Sequence, residues 1–226
     1  MGVTEIVFLP LQDDKFPNDQ TSPNGQLHHH LIQTILSQPG VQRVYWGREI
    51  ENPLMLRWFV DWDDIENHKR FMNADAYRPF VERIGTIVAG AAKAYHAQLR
   101  PHPPVAALSN TTSPITEVVT MWFPNTYPQK DQDNVTEDVE NFISIFENHA
   151  HNYTASAAGW VDEEIDIPGM EERGKAYVLL VGWTSVEAHM QFRETQAFKD
   201  SIHFVMGAKN LKKIEAVHVS LTEVTK

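Results

Sequence analysis

The sequence predicts an α+β protein built from two tandem copies of one strand-helix-strand-strand-helix-strand unit. Three observations carry that prediction. Thr4-Glu5-Ile6-Val7 recurs as Thr116-Glu117-Val118-Val119. A stretch ending in Phe71 recurs as one ending in Phe192, matched at Val60/Val181, Trp62/Trp183, Glu66/Glu187 and His68/His189. The register then persists, with Tyr77-Arg78 falling on Phe198-Lys199 and Tyr95-His96-Ala97 on Val217-His218-Val219, the offset drifting by a single residue. Self-similarity at this period is the signature of a duplicated supersecondary unit. The expected organisation is repeat one over 1–100, a linker over 101–113 and repeat two over 114–226. Between Arg100 and Asn110, prolines and small polar residues oppose a helix and suit a connection.

Within each copy the elements follow from patterning. The first strand, Glu5 to Leu9 or Glu117 to Trp122, is nearly apolar on both faces, which suits a sheet covered on both sides. Leu27, Leu31 and Ile35 mark the inner face of a first helix, as do Val139, Phe142, Ile143 and Phe146 in copy two; Pro39-Gly40 supplies a stop signal. Tyr45 to Ile50 and Leu56 to Trp62 read as a hairpin around Asn52-Pro53, and Gly159 to Ile165 with Ala176 to Trp183 as one around Pro168-Gly169. The hairpin loop from Asp166 to Lys175 is longer and more charged in copy two. Asp63 or Asp64, and Thr184 or Ser185, are N-caps for long helices carrying His68 and His189. Tyr95 to Leu99 and Ile214 to Leu221 close the two units. The order is ferredoxin-like, and two such units in tandem can pack sheet against sheet.

Composition restricts the function. The chain has 226 residues, 19 Lys+Arg against 30 Asp+Glu, 11 His, no Cys and a formal charge of −11. With 42% hydrophobic residues, six Trp and eleven Phe it lies outside the disordered class. Its longest nearly apolar stretch, Ile84 to Ala92, is too short to cross a bilayer. The acidity disfavours nucleic acid and anionic membranes as partners and points to a small molecule. Without cysteine there are no disulfides, thiolate metal sites or thiol nucleophiles. The first residues, MGVTEIVFLPL, lack a basic leader region, so a cytoplasmic location is expected and the Asn-x-Thr sequons at Asn110, Asn134 and Asn152 stay unmodified. The run His28-His29-His30 points in three directions on a helix and makes no chelating face. No local His/Asp/Glu spacing reads as a metal site, and no phosphate loop or nucleophile elbow is present. No cofactor is expected.

The strand ending in Trp, followed by Ser/Asp-x-Glu-x-His-x-x-Phe opening a helix and an aromatic six residues further on, resembles the dimeric α+β barrel superfamily. More narrowly it is similar to the antibiotic-biosynthesis monooxygenase-like members in a tandem, fused form, over almost the whole chain. The resemblance implies an intramolecular dimeric barrel, a monomer in place of the usual homodimer, and a cavity in each half between helices and sheet. It also implies chemistry without metal or flavin. A base deprotonates an electron-rich phenol or anthrone and the substrate carbanion reacts with O₂, which requires a dry aromatic pocket, a general base and donors for the oxyanion. Polyketide cyclisation and isomerisation are alternatives in the same cavity, and a non-catalytic small-molecule-binding or stress-response protein is the rival from another class. His203 lies near, but not on, the spacing of haem-degrading members.

Candidate residues follow from the repeat and the resemblance together. Glu5 and Glu117 stand where the similar plant polyketide cyclase has an active-site histidine. A carboxylate desolvated there would be a base poised near neutrality, the alternative being a sheet-end carboxylate paired with a cation. His68 and His189 are catalytic, or packing residues that fix the helix to the Trp strand. His96 and His218 lie on a small-residue face of the last strand with room for a ligand. Tyr77 replaces the cyclase's catalytic histidine and Phe71 its tyrosine, a departure that counts against cyclase chemistry by that route. Tyr77 and Arg78 together could hold a phenolate or enolate. The catalytic candidates are therefore Glu5, His96, Tyr77, Arg78 and His68. The substrate-lining candidates are Trp46, Trp58, Phe71, Glu117, His189 and His218, and copy one is the expected active half.

Overall fold

Each copy of the repeat builds one antiparallel sheet with the same internal strand order. A computed structural model describes residues 2–12 and 21–226. Copy one runs β1 (Val3–Pro10), α1 (Pro23–Leu36), β2 (Val41–Arg48), β3 (Met55–Trp62), α2 (Ile65–Met72), α3 (Tyr77–Ile84) and β4 (Lys93–Ala97). After a one-turn helix α4 (Val105–Leu108), copy two runs β5 (Ile115–Pro124), α5 (Gln129–His149), β6 (Tyr153–Trp160), β7 (Ile165–Asp166), β8 (Arg173–Trp183), α6 (Val186–Arg193), α7 (Gln196–Ser201), α8 (His203–Met206), β9 (Lys213–Val219) and β10 (Thr222–Thr225). The sheets are ordered β10-β2-β3-β1-β4 and β6-β8-β5-β9, with β7 extending β8. Reading β5, β6, β8 and β9 as the second copy's four strands, both follow the ferredoxin-like order. Even an irregularity repeats, since the register slips between Val41 and Arg43 and again between Tyr153 and Ala155.

Two compact units result, one of residues 1–96 with 219–226, the other of residues 97–218. The boundaries between these units fall after residues 96 and 218. Residues 101–113 are built into the second unit, where Ser113 bonds the Ala106 carbonyl at 2.7 Å and Thr116 bonds that of Ala107 at 2.6 Å. The short helix within them, its Leu108 fully buried, corrects the reading of that stretch as helix-free. Residues after β9 return to the first unit, where β10 pairs with β2. Gly47 on β2 permits this, because a Cβ there would strike the Ser220 carbonyl; Gly159 on β6 does the same for the Gln98 carbonyl.

The helices cover one face of each sheet. In copy one Leu31 and Ile35 of α1 meet Val7, Trp58, Val60 and Trp62, with Leu27 partly buried at the rim; in copy two Val139, Phe142 and Phe146 of α5 meet Met121, Leu179 and Trp183. The expected long helices after β3 and β8 are broken. Asn73 bonds the Lys69 carbonyl and ends α2, and Thr195 caps α7 by accepting from the Phe198 amide. Short polar side chains compete here for the backbone groups a continuous helix would use. Asp64 and Ser185 are the caps in use at α2 and α6.

The opposite face of the first sheet holds a buried polar residue that the second lacks. Asp61 is fully buried, accepts from Thr4 Oγ1 at 2.8 Å, and has no hydrogen-bond partner on Oδ2. Its counterpart is Gly182, where the Ser113 and Thr154 hydroxyls occupy the space a side chain would need. Burial raises the Asp61 carboxyl to about 7. A carboxyl raised in the folded state stabilises below its unfolded value near 3.8, and that stability is lost as pH rises towards 7. Asp61→Asn cannot ionise, so its stability relative to the parent should grow between pH 4 and 7, by at most about 1.4 kcal/mol per pH unit, and level off above. Urea titrations at several pH values measure this; a pH-independent difference would refute it.

Candidate functional site

β1 alternates its side chains, and Val3, Val7 and Leu9 enter the helix-covered core. Glu5 shares their face, so the strand carries a carboxylate into an apolar layer, where only 8% of the residue remains exposed. An ionised carboxylate in that position needs donors. Pairing with β3 brings Trp62 within reach, and its Nε1–H donates to Glu5 Oε2 at 2.9 Å. The Trp62 ring is also the floor for His68, which stacks on it with centroids 5.0 Å apart and planes inclined by 27°. His68 sits in the first turns of α2, held by the Asp64 cap, with Nε2 3.6 Å from Glu5 Oε1 and Nδ1 2.7 Å from His96 Nε2 on β4.

Copy two reproduces this arrangement. Trp183 Nε1–H donates to Glu117 Oε2 at 3.2 Å, and His189 stacks on Trp183 at 4.9 Å. His189 Nε2 lies 3.4 Å from Glu117 Oε2 and Nδ1 lies 2.8 Å from His218 Nε2. All six Glu and His residues are buried. Sequence spacing shows no metal-type cluster, but in space Glu5, His68 and His96, and likewise Glu117, His189 and His218, each offer one donor atom within 4.8 Å of the others. The members come from a first strand, a helix and a last strand, so no local motif announces them.

The arrangement is a chain of carboxylate, imidazole and imidazole. One assignment of the tautomers puts a proton on His68 Nε2 facing Glu5 and another on His96 Nε2 donated to His68 Nδ1, so that the chain ends at the His96 ring. A proton taken there can pass along the chain while the carboxylate steadies the resulting positive charge.

Other expected residues lie differently. Tyr77 is half-buried against Phe71, edge to face at 5.2 Å, and burial, with a smaller contribution from the Glu5 charge, raises its hydroxyl. Arg78 does not join it. Its side chain is 88% exposed and pairs with Glu82 one helical turn away at 2.9 Å, so a Tyr/Arg anion clamp is absent. Phe71 and Trp58 are core residues, Trp58 donating to His28 Nε2 at 3.1 Å, and Trp46 packs on the edge of the His28 ring. Burial lowers His28 to about 3, so it is a neutral acceptor; His29 and His30 are exposed. In copy two Phe198 packs against Phe192 at 5.8 Å. A crevice of about 150 Å³ opens beside Trp183, lined also by His149, His151, Phe192 and Thr195. Trp62 and Trp183, which the sequence marks only as matched positions of the repeat, are the donors to the triad carboxylates. Their recurrence six residues before a histidine was the available signal.

The sequence matches no protein-family model and no curated protein. Its fold is that of several solved structures. An anthrone oxidase-like protein is 12% identical, with 99% of this chain and 93% of that one covered at a TM-score of 0.69. A candidate monooxygenase of Fusobacterium nucleatum subsp. nucleatum is 11% identical over 100% and 94% at 0.63. SnoaB, a cofactor-independent oxygenase from Streptomyces nogalater, is 14% identical over 45% of this chain and 97% of its own at 0.36. The first two likenesses extend over nearly the whole of each chain and are likenesses of fold, which here is two ferredoxin-like units in tandem.

The Trp–Glu bond gives a stability prediction. Trp62→Phe keeps the ring but removes the donor from a buried carboxylate, and should lower unfolding free energy by about 1–3 kcal/mol. Trp183→Phe should do likewise. Denaturant titration measures both, and a change below about 0.5 kcal/mol in each would show that the bond is not needed.

Proposed function

We propose that the chain is an enzyme acting on a hydrophobic aromatic or polyketide-like small molecule, with oxygenation the first reaction to test. The observation that carries this reading is the buried Glu–His–His chain, present once in each unit. Abstraction of a proton from an acidic phenol or anthrone carbon needs a base in a water-poor site and a place for the proton to go. His96 and His218 are the bases, His68 and His189 take up the proton, and Glu5 and Glu117 balance it. Tyr77 adds a hydroxyl near the triad of the first unit, where the second has Phe198, so the two units differ in what they offer an oxyanion. The names of the structural neighbours agree with an oxygenase. A cytoplasmic location and a role in secondary metabolism belong to the same reading, as does a single chain serving where smaller relatives use two.

Oxygen uptake with anthrone and phenol substrates tests it. His96→Ala with His218→Ala, or Glu5→Gln with Glu117→Gln, should lower turnover by about 10²-fold or more, with circular dichroism unchanged. If only the first-unit changes matter, Tyr77→Phe should lower turnover as well. Full activity in both double variants would remove the triads from the chemistry.

Light scattering should give a monomer at micromolar concentration; an obligate dimer would contradict the single-chain reading.

A further inference from the structure

Two imidazoles and one carboxylate, gathered at the same place in both units, can hold something other than a proton. We propose that each triad binds one divalent transition-metal ion of the zinc or cobalt kind, through Glu5, His68 and His96 in the first unit and Glu117, His189 and His218 in the second. The inference goes beyond the reaction proposed above and does not rest on it: an ion in the triad replaces the proton that the metal-free imidazoles share, so the two states exclude each other.

The donors decide the class of ion. Nitrogen from two imidazoles with one carboxylate oxygen suits zinc, cobalt or iron, whereas magnesium and calcium want oxygen alone. Spacing decides whether one ion can reach all three. Tetrahedral bonds of about 2.0–2.2 Å put adjacent donors about 3.3–3.6 Å apart. His68 faces Glu5 with Nε2 and His96 with Nδ1, and His189 is placed alike between Glu117 and His218, so an ion takes one nitrogen of the middle ring and the remaining donor has to move towards it. One donor atom from each residue of a set lies within 4.8 Å of those of the other two, a separation that side-chain rotation has to shorten for one ion to bind all three.

The surroundings are those of a held ligand set. Trp62 donates to Glu5 Oε2 and leaves Oε1 turned towards His68, while its ring fixes the plane of the imidazole. Fixing of first ligands by outer donors is what metal sites use to set orientation. The copies have diverged beside the triads, as Tyr77 against Phe198 shows, yet both hold the complete Glu, Trp, His and His set. Three protein ligands leave one position for water or a small anion.

The test needs no substrate. Chelator-treated full-length protein is titrated with Co²⁺, following visible ligand-field absorption and Trp fluorescence, and with Zn²⁺ in competition. Two ions per chain are expected, with quenching of the stacked Trp62 and Trp183. Glu5→Gln should reduce this to one ion, and Glu5→Gln with Glu117→Gln to none. These near-isosteric changes retain an acceptor for the Trp N–H, and near-UV circular dichroism checks folding. His96→Ala with His218→Ala is the second route to the same loss, and His29→Ala with His30→Ala should leave both ions bound. Absence of a ligand-field band, or binding that survives both double variants, overturns the proposal. Turnover is measured on the chelator-treated protein: its absence there, in a protein that binds cobalt, counts only against the oxygenase reading, and turnover in a protein that binds no cobalt counts only against the metal site.

Discussion

The bond from an indole N–H to a buried glutamate is the constraint on which the arrangement of each unit depends. β1 must be apolar to lie in the middle of its sheet, yet it carries Glu5 or Glu117 into that layer. One donor, Trp62 or Trp183 on the neighbouring strand, makes the carboxylate tolerable there. The same indole then has a ring to offer, and the histidine of the following helix stacks on it. The helix position is thus tied to the strand through one side chain acting twice, and the last strand joins through its own histidine.

Much of this was legible in the sequence because the chain displays itself twice. The repeat aligned each Glu, each Trp and both pairs of His, and the elements carrying them follow from period and caps. What remained hidden was their convergence. Glu5 and His96 lie at opposite ends of one copy, and only the ferredoxin-like order, which places first and last strands side by side, brings them together. Reading each residue alone left His68 as a catalytic residue or a packing one that fixes the helix to the Trp strand, and Trp62 as no more than a matched position of the repeat. Arg78 failed for a simpler reason. Its place beside Tyr77 in sequence says nothing of direction on a helix, and Glu82 lies one turn away on the solvent side.

The two units also show what duplication left free to change. The triads match to within a few tenths of an ångström at their shortest contacts. On the other face of the sheets, Asp61 stands against Gly182, and hydroxyls of Ser113 and Thr154 fill the second position. A buried carboxylate with an orphaned oxygen is costly, and only the first unit carries it.

Gly47 and the strand it admits have a consequence for how the protein is made. β10 completes the first sheet at β2, and the contact between Lys226 and the Gln38 carbonyl spans 188 residues of chain. During synthesis from the N-terminus, the first unit therefore waits with β2 as an open sheet edge until the second has emerged. An exposed edge of this kind is a template for pairing with other nascent chains. The pairing that completes the first sheet is thus the last that the growing chain can make, after the whole of the second unit has been synthesised.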